Sequence, residues 1–335
     1  MKKYRVGVVG IGAVGAEMVR VLRQRNFPAS EIRILARSER DEIIDGETYH
    51  VVPASVEAFD GLDFAFFAGT EGAKGASQTY GWEAVKKGVV VIDNGDDFRM
   101  DNRVPLVIPE INAHALKNHQ GLISNPNCST IIALMALAPL HKAARIKRFI
   151  AVTYQAVSGT GKPAIVELEQ QVHSWVEKKP LKNSAYPHQI AFNLIPKIGG
   201  GKPDVPGFTS EELKMLRETH KILEDASIKV SATCVRVPVF NAHSEALHVE
   251  FERHITPEEA RDILSKAEGV TLVDDLAADK YPMPISVSGQ DNVFAGRIRK
   301  DLVFENGLAL FVAGDNIRKG AATNAIQIAE CLISK

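Results

Sequence analysis

Gly10-Ile-Gly12-Ala-Val-Gly15 follows directly on an apolar run from Tyr4 to Val9 and opens a stretch, Val14 to Leu22, with apolar residues at helical spacing. A strand that passes through three such glycines into a helix has few uses. The first glycine permits a tight turn, the second lets the backbone approach a pyrophosphate, and the third lets the helix pack closely on the strand. The helix N-terminus then presents unpaired N–H groups and a positive dipole end to phosphate. A plain turn is the bland alternative. The strand–turn–helix setting favours a dinucleotide, with Gly10, Gly12, Ala13, Val14 and Gly15 as its contacts.

The rest of the chain supports that frame. Short apolar runs at 32–36, 63–68 and 89–93 alternate with helical patterns, including one at 73–87. Such alternation implies parallel pairing with right-handed crossovers, an α/β doubly wound Rossmann-type domain. Near Ile146 the pattern changes to longer β-rich runs at 146–157, 231–239, 247–251, 297–304 and 308–313, with a helical stretch at 162–177 and a Gly/Pro-rich segment ending at Gly207. These predict a second, α+β domain with a mixed sheet and helices on one face. An Ala-rich amphipathic helix over 319–333 is expected to return to the first domain. The expected division is 1–127 plus 318–335 for the nucleotide domain and 128–317 for a catalytic and dimerisation domain.

Composition excludes some partners. Forty Lys and Arg balance 41 Asp and Glu, which gives no electrostatic case for nucleic acid or an anionic membrane surface. Glycines interrupt the apolar N-terminal run, so a buried strand is expected there rather than a signal segment. No apolar run approaches the ~20 residues of a membrane span. Three scattered cysteines suit a reducing compartment, so the cytoplasm is expected, and their spacing suggests no metal site.

The choice of dinucleotide turns on the end of the second strand, where NAD sites usually place an acid for the ribose. Here Arg37 and Ser38 occupy the turn, and both can donate to a 2′-phosphate, so NADP(H) is the expected cofactor.

Asn125-Pro-Asn127-Cys128-Ser-Thr130 precedes an apolar, Ala- and Leu-rich stretch. Asn or Ser suits a helix N-cap, which places Cys128 in the first turn, where the dipole favours thiolate. The same N–H groups can stabilise an oxyanion. A lone cysteine is more often a packing residue, and Cys234 and Cys331 keep that interpretation. Among ten histidines, His243 stands out because Asn241-Ala-His243-Ser-Glu joins two strand-like segments. Arg236, on the preceding strand, suits a substrate carboxylate, and Arg99 follows the end of a parallel strand, where ligands gather. Two separate arginines suit a substrate with two anionic ends.

With these residues in place, the chain resembles aspartate-semialdehyde dehydrogenase over nearly its whole length. The resemblance rests on the nucleotide loop, SNPNCST at 124–130, TYQAVSGTG at 153–161, EELKM at 211–215, RVPVFNAHSE at 236–245, AGRIRKD at 295–301 and DNIRKGAATNAIQIAE at 315–330. It implies reduction of L-aspartyl-4-phosphate to L-aspartate 4-semialdehyde by NADPH, with release of phosphate, in the biosynthesis of lysine and diaminopimelate, threonine and methionine. It implies catalytic roles for Cys128 as the acyl carrier, His243 as acid/base and Gln155 as orienter. Arg236 would take the α-carboxylate, Glu211 the α-amino end, Arg99 and Lys214 phosphate, and Asn127 would line the substrate site. Ser158, Gly159 and Gln327 would touch the cofactor, and the assembly would be a homodimer or homotetramer. Another acyl-phosphate reductase, such as one for N-acetylglutamyl phosphate, is the nearest alternative. A non-catalytic dinucleotide sensor is the more distant one. Two departures stand out: the family loop usually reads GATGAVG, one residue longer, and Gly95-Asp96-Asp97 replaces Ser-Ser-Ala before Arg99. Two carboxylates there oppose anion binding unless they point away.

Overall fold

The computed structural model describes residues 2–69, 75–202 and 204–333. The chain forms two compact units, one of residues 1–127 and 321–335, the other of 128–320. The first two residues of the helix expected over 73–87 lie outside the described residues.

In the first unit the chain runs through β1 (Tyr4–Val9), α1 (Ala13–Gln24), β2 (Ala29–Ala36), β3 (Arg40–Ile44), β4 (Glu47–Pro53), β5 (Phe64–Phe67), α2 (Ala76–Lys86), β6 (Val90–Asp93), α3 (Pro109–Asn112) and β7 (Leu122–Ser124). These strands make one sheet in the order β3-β4-β2-β1-β5-β6-β7, parallel except for the β3–β4 hairpin. The central strands β1, β5 and β6 read as near-continuous apolar runs because both sheet faces are covered there. Val6, Val8, Phe64, Phe66 and Ile92 pack with Met18 and Leu22 of α1 and with Ala325 and Ile326 of the C-terminal helix Thr323–Ile333. Their neighbours Ala65, Phe67 and Val91 face the other way, toward Ala84 of α2. β1 is central, with β2 on one side and β5 on the other, so the glycine loop lies at the point where strand order reverses. This is the doubly wound fold the alternation predicts. The hairpin, turning on Asp45 and Gly46 at positive φ, was not anticipated.

The second unit begins with α4 (Cys128–Ala144), followed by β8 (Ile146–Gln155), α5 (Lys162–Val176), α6 (Ser210–Ile222), β9 (Lys229–Arg236), β10 (His243–Phe251), α7 (Pro257–Ser265), β11 (Val270–Leu272), α8 (Pro284–Val287), β12 (Val293–Lys300) and β13 (Gly307–Gly314). Its sheet, ordered β11-β12-β13-β10-β8-β9, is mixed: β8–β9 and β11–β12 are parallel and the other pairs antiparallel. Helix α4 packs on β8, β10, β12 and β13, α6 packs on β9 and on α4, and α7 packs on β11 and β12. Every residue of α4 from Ser129 to Leu137 is buried, so this helix is apolar all round.

Several expected boundaries shift. The strand expected over 231–239 ends at Arg236, and the one expected over 247–251 starts at His243, which is thus the first residue of β10. The strand expected over 297–304 is β12, which starts at Val293 and ends at Lys300. Leu302 and Val303, whose apolar character suggested strand, are exposed in the turn to β13, where Asp301 accepts from the Val303 and Phe304 N–H groups. The last α-helix starts at Thr323, after a wider turn over Arg318–Ala322. No helix among the described residues is long and apolar enough to cross a membrane.

Candidate active site

The glycine loop of the first unit performs the backbone tasks of the fingerprint despite its shorter length. Gly10 has φ +92°, and a Cβ on Gly15 would stand 1.9 Å from the Gly10 carbonyl oxygen, so only glycine lets α1 close on the turn. Gly12 caps α1 with no side-chain hydrogen bond, and the first turn carries no acid. A Cβ there would meet no protein atom within 4 Å. Nothing in the protein demands glycine at 12, which leaves an open backbone cradle at a helix N-terminus suited to an anion.

At the end of β2, Arg37, Ser38, Glu39 and Arg40 are all exposed. Glu39 faces His50 at 3.3 Å and Arg40 faces Glu42 at 3.2 Å, while Arg40 also donates to the Ser38 carbonyl oxygen. Arg37 has no ion-pair partner among the described residues.

In the same unit, Asp93 ends β6 fully buried and accepts from the Ser77 hydroxyl at 2.5 Å and the Gly95 N–H at 2.9 Å. Burial raises its carboxyl above the usual range, and Asp97 adds to that, while Arg99 opposes it. Arg99 is buried and donates to the Asn94 carbonyl oxygen at 2.8 Å. Asn94 and Asn324 bracket Asn125 with hydrogen bonds of 2.7 Å each, and Gln327 donates to Glu110 at 2.8 Å. Asn127 is buried just before α4. The asparagine chain 94–125–324 was missed, because its members are far apart in sequence and only the fold joins them.

The second unit gathers Gln155, Gly159, Glu211, Lys214, Arg236 and His243. Gln155 and Arg236 pair across β8 and β9, and His243 pairs with Gly314 across β10 and β13. Ala156 holds two of these side chains through one residue's backbone. Its N–H donates to His243 Nδ1 at 3.0 Å, and its carbonyl oxygen accepts from Arg236 Nη1 at 2.6 Å. With Nδ1 accepting, the neutral imidazole carries its proton on Nε2. Nε2 is buried without a hydrogen-bond partner, and so is Nε of Arg236. Full burial and the nearby Arg236 charge hold His243 well below its ordinary pKa. Arg236, 5% exposed, has no carboxylate partner among the described residues.

Gln155 Nε2 donates to Glu211 at 3.2 Å and to Thr153 Oγ1 at 3.3 Å. Glu211 sits in the first turn of α6, 3.6 Å from Lys214, while its neighbour Glu212 closes a capping box with Thr209. The two adjacent acids therefore divide their work, one capping the helix and the other turned to Gln155.

Cys128 is the first residue of α4, half-buried. One helical turn on, Ile132 lies where a Cβ on Gly314 would come within 3.0 Å of its Cγ1. Gly314 is the register partner of His243, so Cys128 lies on the same face of α4 one turn toward the helix N-terminus. Gly320 packs against it: a Cβ on Gly320 would be 2.9 Å from the Cys128 Cβ.

Sequence reading also missed the support behind His243. Ala242 adopts φ +70°, and its N–H donates to Asn316 Oδ1 at 3.0 Å. Asn316 and Asn241 in turn bond to Ser158 at 3.0–3.1 Å. The signal was the polar Asp315-Asn316 pair directly after a buried strand.

Gly159 shows how closely this group is packed. A Cβ there would lie 2.9 Å from Arg236 Nη1 and 3.1 Å from His243 Cε1. Gly159→Ala should therefore displace both side chains and lower kcat/KM by about tenfold to a hundredfold, with a small change in Tm. Steady-state kinetics beside a thermal melt will show it.

Comparison with known proteins agrees with both units. A family model described as semialdehyde dehydrogenase, NAD binding domain, matches residues 5–119, and one described as semialdehyde dehydrogenase, dimerisation domain, matches 137–319. The chain is 50% identical to aspartate-semialdehyde dehydrogenase of Aquifex aeolicus, covering 99% of this chain and 98% of that protein. It is 44% identical to the Bacillus subtilis enzyme of that name, covering 98% and 96%. The crystal structure of aspartate semialdehyde dehydrogenase II from Vibrio cholerae, complexed with ASA, superposes with a TM-score of 0.94 at 40% identity, covering 100% of this chain and 99% of that one. A dinucleotide-binding fold in one unit, an orphan arginine and imidazole in the other, and full-length likeness at this level have one explanation: the chain belongs to the aspartate-semialdehyde dehydrogenase family.

Proposed function

We propose that this chain reduces L-aspartyl-4-phosphate to L-aspartate 4-semialdehyde with NADPH, through a thioester on Cys128. The observation that carries this reading is Arg236, a buried guanidinium with no carboxylate partner among the described residues. Burying an uncompensated charge is costly, and an anionic substrate group removes that cost.

Cys128 attacks as thiolate, favoured by the N-terminus of α4, and forms a carbon–sulfur bond to the acyl carbon. The bond to the phosphate oxygen breaks, phosphate leaves, and the acyl group remains on Cys128. Arg236 fixes the α-carboxylate, and Glu211, oriented by Gln155, takes the α-amino group. Arg99 and Lys214 are the cations proposed for phosphate, and Asn127 lines the substrate site. His243 presents a donor, Nε2–H, which suits stabilising negative charge on the reacting oxygen and protonating it. Taking the thiol proton would require His243 to give up its bond from Ala156. The helix N-terminus therefore carries more of the thiol activation than the imidazole does.

The cofactor residues fit a dinucleotide, because Gly12 leaves an open cradle over an uncapped helix N-terminus. Gly10, Gly12, Ala13, Val14 and Gly15 would hold the pyrophosphate, Arg37 and Ser38 the 2′-phosphate of NADP, and Ser158, Gly159 and Gln327 further parts. When bound, NADPH supplies the hydride that reduces the acyl group. Among the charged side chains at 37–40, Arg37 alone is without an ion-pair partner among the described residues, which supports NADP over NAD. The free sheet face carries exposed Ile150 and Tyr154, which suits self-association as a homodimer or homotetramer. The cytoplasm remains the proposed location.

Assays in the reverse direction test this reading, with aspartate semialdehyde, phosphate and either NADP or NAD, and N-acetylglutamate semialdehyde in parallel. Turnover with aspartate semialdehyde and NADP is expected, and preference for the acetylated substrate would refute the assignment. Arg37→Ala should raise KM for NADP by about tenfold to a hundredfold and change that for NAD little, the loss of one charge-assisted phosphate contact.

A further inference from the structure

One layer beneath His243, the same sheet face carries an acid that none of the roles above uses. Strand side chains alternate, so Glu245 shares the face of His243 and lies about 7 Å along β10 from it. Its register partners are Thr153 on β8 and Val312 on β13, and Thr153 is paired in turn with Cys234 on β9. Glu245 thus belongs to a row, Val312–Glu245–Thr153–Cys234, directly behind the row that holds His243, Gln155 and Arg236. Glu245 is 0% exposed, and neither of its carboxyl oxygens has a hydrogen-bond partner.

The charges around it come from few elements. Helix α6 contributes Glu211, Glu212 and Lys214, with buried Glu218 two turns further along the Glu211 face, and β9 contributes Cys234 and Arg236. Its own strand contributes His243, and β8 and β13 contribute none on this face at its level. From Cys128 to Leu140, α4, which packs over β10, has Cys128 as its one titratable side chain. Glu211 is the charge that acts on Glu245 directly, and it has the same sign. Burial, with Glu211 adding to it, pushes the Glu245 carboxyl well above its ordinary range.

We propose that Glu245 is a positioning residue of this site: an uncharged carboxyl group that leaves Glu211 as the one anion facing the substrate's amino group. The inference rests on the proposed role of Glu211. Thr153, the register neighbour of Glu245, stands next to the network that holds Glu211, because Gln155 donates to both Thr153 and Glu211. Ionisation of Glu245 would release its proton to solvent and set a second negative charge behind that network. Two carboxylates in a dry layer repel, which pushes Glu211 away from Gln155. The hold on the amino group then weakens.

The sign for stability follows. The folded value lies above the unfolded one, so Glu245 contributes stability at acid pH that is lost as pH rises from about 4.5 toward the folded value. Replacing the acid with the isosteric amide removes that loss.

The test compares kcat and KM for aspartate semialdehyde in the wild type and Glu245→Gln from about pH 6 to pH 10. The wild type should show, beside the step from the substrate's own amino group, an additional alkaline step in which KM rises about tenfold while kcat changes little. Glu245→Gln should lack that step and keep only the one from the substrate's own amino group. It should also gain a few degrees in Tm at neutral pH relative to acid pH. Superimposable KM profiles would overturn the proposal. So would a loss of about a hundredfold or more in neutral-pH kcat/KM in a folded Glu245→Gln, since the charge would then be needed.

The infrared spectrum of the wild type decides the matter if the amide variant does not fold. A protonated-carboxyl C=O band that titrates with the KM step supports the proposal, and Asp93→Asn subtracts the other acid whose carboxyl burial pushes up. No such band at neutral pH overturns it. If the wild type fails to turn over aspartate semialdehyde, the functional reading falls, whereas the infrared titration still supports or overturns the neutral state of Glu245.

Discussion

Cys128→Ala will lose turnover by roughly 10⁴-fold or more while NADPH binding is retained, because the substitution removes the proposed nucleophile and leaves the glycine loop of the other unit untouched. The three cysteines differ enough to make the result specific. Cys128 is half-buried at the N-terminus of a 17-residue helix whose first turn carries no acid, and that setting favours thiolate. Cys234 is fully buried, and burial, with Glu211 adding to it, pushes its thiol far up, so the thiolate is disfavoured there. Cys331 lies in the C-terminal helix, packed against the core of the first unit. Iodoacetamide should therefore inactivate the enzyme by modifying Cys128, with protection by substrate, and peptide mapping should find Cys234 unmodified. Wild-type turnover in Cys128→Ala would end the covalent mechanism.

How much the sequence disclosed depended on whether the information was local. The nucleotide loop was readable because strand, turn and helix are contiguous, and its glycines do their work within six residues of one another. β1 fell at Tyr4–Val9 as read, since a strand covered on both faces is a simple apolar run. Cys128 at a helix start was likewise a local reading. The expected strand at 297–304 slipped because Leu302 and Val303 are apolar without being buried; the ladder to β13 is interrupted between Gly296 and Arg299, where Arg297 has φ +55°, and resumes for Arg299 and Lys300. The site around Ala156 was not local at all. Only the parallel register of β8 and β9 sets Gln155 beside Arg236, and only a backbone bond 87 residues away in sequence fixes the tautomer of His243. Arg236 and His243 stood out from their own strand settings, and family likeness added Gln155 and the roles. Glu245 lies in the same stretch as His243, and an acid at an alternating strand position reads as a solvent-facing residue until the helices cover it.

Arg236→Leu should lower kcat/KM for aspartate semialdehyde by roughly a thousandfold, mostly through KM, while leaving NADP binding nearly unchanged. Leucine fills much of the buried space and removes an unpaired charge, so the fold should survive or gain stability. What it cannot do is meet a carboxylate with charge-assisted hydrogen bonds, and for the same geometric reason Arg236→Lys should rescue only part of the loss. A second readout separates recognition from general damage. Arg236 is one of the two causes holding His243 well below its ordinary pKa, the other and larger being burial. Removing the guanidinium lets the imidazole value rise, so protonation of His243 begins at higher pH. The acid limb of the kcat/KM profile should therefore move upward in Arg236→Leu relative to the wild type. If kcat/KM were unchanged, the carboxylate assignment would be wrong. If it fell with the acid limb unmoved, Arg236 would matter to the substrate without tuning His243, and the Ala156 clamp would be a scaffold alone.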